Sequence, residues 1–348
     1  MTNNLAWGPF RRHFAFEGIS NGISVGNISI GGATWWGEAY IMCSHVIVEN
    51  TIKYTRTPEQ KAGASWNPIR GAICIQNWSS HVSIRSMVYL DEGSAGAGVV
   101  LTRSSTVAGE HKLTLQVSML NEGLESNNAF DLQPAENLHL NNCYAEGFAY
   151  QIKGVTAPYN NILLTGCRLN GNGSATGILF QGGSGGSLSI KDSIVDVTGS
   201  DYAMSLFDLA QIRITSTGIA ANKYAVSLRD IGEKFIISNC YNIKSGESLA
   251  LRYAKTNASG GSSASSGGDV PEIEWLFNDN EGINSGFYYS QAQLLSAASA
   301  VNRLGKSSGK SVLGYDVNKQ LRYFYATGEA PTAPWAMLEI ASSVITPA

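Results

Sequence analysis

Three glutamates stand in turns of one kind. The chain reads "LDEG" at 90–93, "LNEG" at 120–123 and "AEG" at 145–147, which places Glu92, Glu122 and Glu146 after similar apolar runs. "LNG" at 169–171 and "VDV" at 195–197 continue the line with Asn170 and Asp196. Stacked on neighbouring strands, such side chains would stand about 5 Å apart, and on alternate strands about 10 Å. Carboxylates this close raise one another's pKa, so that one can hold a proton while another is ionised. Paired carboxylates are the machinery of glycoside hydrolysis, retaining at ~5–5.5 Å and inverting at ~6.5–9.5 Å. In that assignment Glu122 and Glu146 act as acid and base or nucleophile, tuned by Glu92 or Asp196. A solvated surface corner and a bound cation stay open as other readings of the same residues. Asp208 and Asp230, ending "SLFD" and "SLRD", form a second stack that reads first as turn capping.

A second group of residues suits binding. Five of the seven tryptophans, Trp7, Trp35, Trp36, Trp66 and Trp78, fall within the first 78 positions. The insertion "TRTPEQKAGASWNPIRG" carries Arg56, Trp66 and Arg70. Aromatic faces stack on sugar rings, and guanidinium forks hold carboxylates or phosphates. Trp35, Trp36, Arg56, Trp66, Arg70 and Trp78 are therefore candidate substrate-binding residues. The competing reading is a cap over the open end of a solenoid.

What would position these groups is a repeat. "LHLNNC" ends at Cys143 and "ILLTGC" at Cys167; "ISVGNI", "VIVENT", "VSIRSM" and "LTLQVS" precede them, and "LSIKDS", "IRITST" and "FIISNC" follow. Anchored on the last residue of each, the intervals are 23, 36, 31, 25, 24, 26, 24 and 23. A second alternating run follows every anchor, such as "GAICIQ", "GVVLTR" and "YAVSLRD". Self-similarity at this period marks a solenoid, and period-two alternation marks strands with one buried face. Leucine-rich repeats would need a helical second segment and left-handed β-helices a hexapeptide rhythm, so the fit is a parallel β-helix, with the right hand favoured. About nine to ten coils are expected. The residue before each anchor is mostly Asn, Asp, Ser or Gly, suited to turns and side-chain ladders. The anchors are mostly small and suited to an inward bend. Cys143 and Cys167 then become stacked neighbours, expected as buried reduced thiols.

Composition agrees. Glycine is 38 of 348 residues, charged residues are 15 % and the net charge is −3. Low charge with abundant Gly suits a β-rich chain and excludes a basic surface for nucleic acid. No charged start followed by an apolar run resembles a signal peptide, and no run of 18 apolar residues would span a membrane. Five cysteines at no metal-like spacing point to folding in a reducing cytosol. His13, His45, His81, His111 and His139 are scattered, and neither "GKSSGK" nor "QGGSGGS" sits in a nucleotide-binding context. No cofactor and no metal are expected.

This rhythm over residues 19–290 resembles the pectate-lyase-like right-handed β-helix family, and within it bacteriophage tailspike and tail-fibre receptor-binding proteins. The tail "GKSVLGYDVNKQLRYFYATGEAPTAPW" is similar to the β-hairpin modules closing many tail-fibre chains. The resemblance implies a homotrimer on a phage tail, made in the host cytoplasm, attached through other tail proteins and directed at a bacterial surface polysaccharide. It divides the chain into an N-terminal cap (1–18), a parallel β-helix (19–256), a flexible Gly/Ser loop (257–269), an altered last coil with a short helix (270–304) and a C-terminal β trimerisation module (305–348). Three activities fit: a glycoside hydrolase working through the glutamates, a lyase holding a uronic carboxylate by Arg56 or Arg70, and a non-catalytic adhesive or structural β-helix.

Overall fold

The computed structural model describes residues 1–7, 12–30, 36–54, 71–76, 79–90, 97–102, 113–121, 128–132, 135–154, 159–171, 176–180, 185–244, 248–256, 262–265, 268–269, 273–281, 283–285, 287–304, 306–318 and 320–337. Alternation becomes strand wherever one face can be covered. Leu113–Asn121 alternates strictly, with Leu113, Leu115, Val117 and Met119 buried. Stacked rungs of this kind form a parallel β-solenoid, the all-β fold expected from the repeat. The second runs build one ladder of parallel strands from Arg12–Glu17 to Leu249–Thr256. The lumen between the sheets is filled by one apolar core that includes Phe130, Phe148, Tyr159, Phe180 and Phe235.

The first runs behave in two ways. Ile23–Ile30, Ser44–Tyr54, Ser80–Leu90 and Leu113–Asn121 are single long strands. Beyond Leu113–Asn121 the sheet forks, because that strand pairs with both Ala135–Asn141 and Tyr144–Phe148. One arm continues through Tyr159–Thr165, Ser187–Lys191, Gln211–Thr215, Lys234–Ser238 and Glu274–Asn278. The other continues through Arg168–Gly171, Ile194–Asp196, Gly218–Ala220 and Tyr241–Asn242. At every fork one residue takes the left-handed conformation: Asn142, Gly166, Asp192, Ser216 and Asn239 have φ of 51°, 64°, 50°, 49° and 52°. Glycine, asparagine and aspartate tolerate that conformation best.

The fork reverses the expected facing of the repeat in part. In the later rungs the anchors Cys143, Cys167, Ser193, Thr217 and Cys240 are buried, as a small inward residue should be. In the early rungs the preceding residues Asn27, Asn50 and Ser86 are buried instead, while Ile28 and Met87 are 42 % and 63 % exposed. In these unbroken strands the residue before the anchor is not left-handed, and its polar side chain turns inward. There it makes a ladder: the Asn27 amide nitrogens donate to Asn50 Oδ1 at 3.0 and 3.1 Å, and Asn50 N donates to Ser86 Oγ at 3.3 Å. None of the five cysteines is in a disulfide, and all are buried. Burial pushes the Cys143 thiol well up, and its Sγ donates to the Leu115 carbonyl at 3.1 Å.

The ends are also strand-paired. Leu5–Trp7 pairs with Ile23–Ile30, so the N-terminal segment is itself a rung. Within the Gly/Ser stretch, Ser262–Ser265 folds back antiparallel on Leu249–Thr256, and Gly268–Asp269 pairs with Phe287–Tyr288. The helical spacing after Ser290 gives two short helices, Gln291–Leu295 under a Ser290–Gln293 capping box and Ala300–Arg303. Leu294 and Val301 pack on Val312 of the tail, where Ser311–Tyr315, Leu321–Ala326 and Trp335–Met337 form an antiparallel sheet.

Candidate functional site

Strand registry decides which side chains share a face. Along the outside of the second arm, Lys53 lies opposite Tyr89, Tyr89 opposite Leu120, Leu120 opposite Glu146, Glu146 opposite Asn170 and Asn170 opposite Asp196. Two residues earlier on the same face, Met87, Ser118, Tyr144, Arg168 and Ile194 form a parallel row. Of the predicted acids, Glu146 and Asp196 are therefore brought onto one face with Asn170 between them. Two strand spacings separate them by about 10 Å.

Local chemistry holds this face in place. Tyr144 donates its hydroxyl to the Glu146 carboxylate. The registry shifts between Glu146 and Phe148, where Gly147 has φ +82°. A bulge of this sort re-aims neighbouring side chains. The Asn121 side chain fixes the corner by donating to the Gly147 carbonyl at 2.9 Å. Beneath Asn170, buried Gln151 donates to the Phe148 and Asn170 carbonyls at 2.8 and 3.2 Å. Asp196 Oδ1 is shielded from solvent and meets no hydrogen-bond partner among the described residues. Half-buried carboxylate, exposed carboxylate and the exposed Arg168 guanidinium thus face outward together.

The face runs on into a groove of about 670 Å³ on the early rungs, lined by Ile28, Thr51, Met87, Ser118 and the Arg85–Glu49 ion pair at 3.5 Å. Next to it Lys53 Nζ lies 5.5 Å from the Tyr89 ring centre. The whole strip offers charge of both signs, amides, hydroxyls and aromatic rings along several strand widths.

Glu92 and Glu122 lie outside the described residues, as do Trp35, Arg56, Trp66, Arg70 and Trp78. The registry opposes Glu146 to Leu120, two positions before Glu122 in the chain. Trp36 opens the strand Trp36–Ile41, paired between Arg12 and Gly71. Asp208 and Asp230 directly follow the strands Tyr202–Phe207 and Tyr224–Arg229 with φ of 54° and 52°, the backbone of a turn residue, beside a cavity of about 540 Å³ that Glu233 also lines.

One carboxyl was not singled out by the turn pattern. Glu38 is fully buried in the lumen, accepting from the Tyr40 hydroxyl at 2.6 Å and from Asn50 Nδ2 at 3.1 Å. Burial pushes it up to about 7. Its signal was parity: in "WGEAYI" Glu38 shares a face with Tyr40. Comparison with protein-family models, with curated proteins and with solved structures finds no match for this chain.

Proposed function

We propose that this β-solenoid is a phage tail receptor-binding protein that holds a bacterial surface polysaccharide along the outer strip from the Arg85–Glu49 groove to Asp196. The observation that carries the reading is the registry of Tyr144, Glu146, Arg168, Asn170 and Asp196 on one solvent-facing surface. A chain of sugars presents repeating hydroxyls and apolar ring faces, and a ladder of strands presents repeating partners at a fixed ~4.8 Å. Amides and carboxylates accept or donate to hydroxyls, Tyr144 and Tyr89 offer ring faces, and Arg168 suits an acidic substituent.

A second reading adds turnover. The ~10 Å between the Glu146 and Asp196 backbones falls near the ~6.5–9.5 Å that an inverting glycosidase needs between carboxyl groups. Glu146, which accepts from the Tyr144 hydroxyl, would activate water, and Asp196, whose Oδ1 meets no hydrogen-bond partner among the described residues, would carry the proton to the leaving oxygen. Glu122 and Glu92 remain members of the proposal as flanking acids. The test is incubation with purified capsule or lipopolysaccharide. Retention of the glycan without release of fragments supports binding alone, released fragments support hydrolysis, and fragments absorbing through a new double bond point to a lyase. Failure to retain any such glycan refutes the reading.

A further inference from the structure

Away from the outer strip, three cations cross the other sheet arm on a diagonal. Lys191 lies opposite Thr215, Arg213 opposite Ser189 and Ile236, and Lys234 opposite Gln211. All three alternate with lumen residues such as Ile190, Ile212 and Phe235 and so face outward. Each step moves one strand across and two residues along, a separation of about 7–8 Å. The outer two cations are matched: Lys191 Nζ lies 3.6 Å from Asp192, and Lys234 Nζ 2.6 Å from Glu274. Arg213, exposed between them, meets no hydrogen-bond, ion-pair or ring partner among the described residues. A crevice of about 120 Å³ opens beside it, lined by Asn161, Ser187, Ser189, Gln211 and Lys234. Asn161 donates its N–H to Ser187 Oγ at 3.0 Å, which leaves the Ser187 hydroxyl a proton to donate.

We infer that this crevice binds a phosphate monoester, its phosphate seated against Arg213 and its carrier outside. Size comes first. Pockets that enclose a whole small molecule measure ~300–1,000 Å³, so a crevice this small takes one substituent. Donors then reach it from three strands: Ser187 and Ser189 on one side, the Arg213 fork in the middle and Lys234 on the other. A carboxylate offers two oxygens in one plane, whereas a phosphate offers three strong acceptor oxygens in three directions. Charge balance agrees. Of the neighbouring acids, Glu274 is held by Lys234, and Glu233 accepts from Gln211 Nε2 at 2.9 Å. Arg213 is the cation left over, with a further cation on each diagonal, and an anion at the crevice relieves their repulsion.

The site goes beyond the outer-strip reading and stands or falls without it. Phosphorus NMR titration of glucose 6-phosphate into the full chain, at low ionic strength and pH ~8 where the ester is doubly charged, gives the affinity. Inorganic phosphate, glucose and glucuronic acid are then added as competitors. Inorganic phosphate should displace the ester, glucose should not, and glucuronic acid should need about tenfold more than phosphate. Arg213→Gln should weaken the ester about tenfold or more, the worth of one charge-assisted hydrogen bond. Arg303→Gln, which removes an exposed cation from the helix Ala300–Arg303, should change nothing. Both variants should melt with the unaltered chain, because both side chains are exposed. No binding of the ester by the unaltered chain, or equal losses in the two variants, overturns the site. Displacement by glucose, or by glucuronic acid as readily as by phosphate, overturns the phosphate class.

Discussion

Replacing Glu38 by glutamine should make the protein more stable at neutral and alkaline pH. The side chain is fully buried, and its Oε1 meets no hydrogen-bond partner among the described residues. Its other oxygen is served by Tyr40 and Asn50, and Asn50 Nδ2 also reaches Ser24 Oγ at 2.9 Å. No cation is paired with it among the described residues. Two neutral donors do not offset the desolvation of a carboxylate, and the group titrates at about 7 against an ordinary 4.5. A raised folded pKa means that the folded chain binds the proton more tightly than the unfolded one. The contribution of Glu38 is therefore fully present below pH 4.5 and is lost as pH rises through about 7. At about 1.36 kcal/mol per unit, the loss approaches ~3 kcal/mol by pH 8. Glutamine has the shape of the protonated acid and no proton to lose. Denaturant unfolding of both chains, equilibrated from each direction at pH 4 and pH 8, measures the difference. Near-equality at pH 4 and an advantage to Glu38→Gln of about 2–3 kcal/mol at pH 8 are expected. A variant that tracks the unaltered chain at both values would refute the argument.

Four further outcomes are expected. Gly147→Ala should cost 1–3 kcal/mol in a melting or denaturant assay, because Gly147 has φ +82° and an added Cβ would collide with the Asn121 carbonyl. Glu146→Gln and Asp196→Asn should each leave glycan retention and folding intact, and if fragments are released, each should slow their release by ~10²–10⁴-fold. Denaturing thiol titration should find five free groups and native titration few, since all five cysteines are buried. Light scattering at micromolar concentration should give three chains per particle, because the tail sheet leaves Tyr323, Tyr325 and Met337 substantially exposed and so small a sheet does not bury its own faces.

The line of acids was legible where the offset from the anchor is constant. Glu146, Asn170 and Asp196 each stand three residues after Cys143, Cys167 and Ser193, and the registry pairs them. Glu122 stands four residues after Ser118, and Glu92 five after Met87. The registry pairs the anchor Ser118 with Tyr144, one residue past the anchor Cys143, so the partner of Glu146 is Leu120. The facing of the early rungs was hidden for a different reason. Asn50 and Asn142 hold the same place in the repeat, yet one is an inward ladder member and the other a left-handed corner. Asparagine suits both roles, and the choice depends on whether the neighbouring rung runs straight or bends. That information lies in the stack and not in the segment.

The fork ties these two facts to the site. Leu113–Asn121 is the last unbroken strand, and Tyr144–Phe148 is the first of the separate second arm. On the unbroken side the row of anchors Ile28, Thr51, Met87 and Ser118 faces outward, and the preceding Asn27, Asn50 and Ser86 turn into the lumen. On the forked side the corner residue absorbs the shift, the lumen takes Cys143 and Cys167, and the outer face gains Tyr144, Glu146, Arg168 and Asn170. One conformational choice at the residue before the anchor thus decides whether that residue joins the lumen ladder or turns the corner of the fork. On the proposed reading, a glycan along the strip would pass at that rung from the groove of Ile28, Met87 and the Arg85–Glu49 pair to the ladder of Tyr144, Glu146, Arg168 and Asn170.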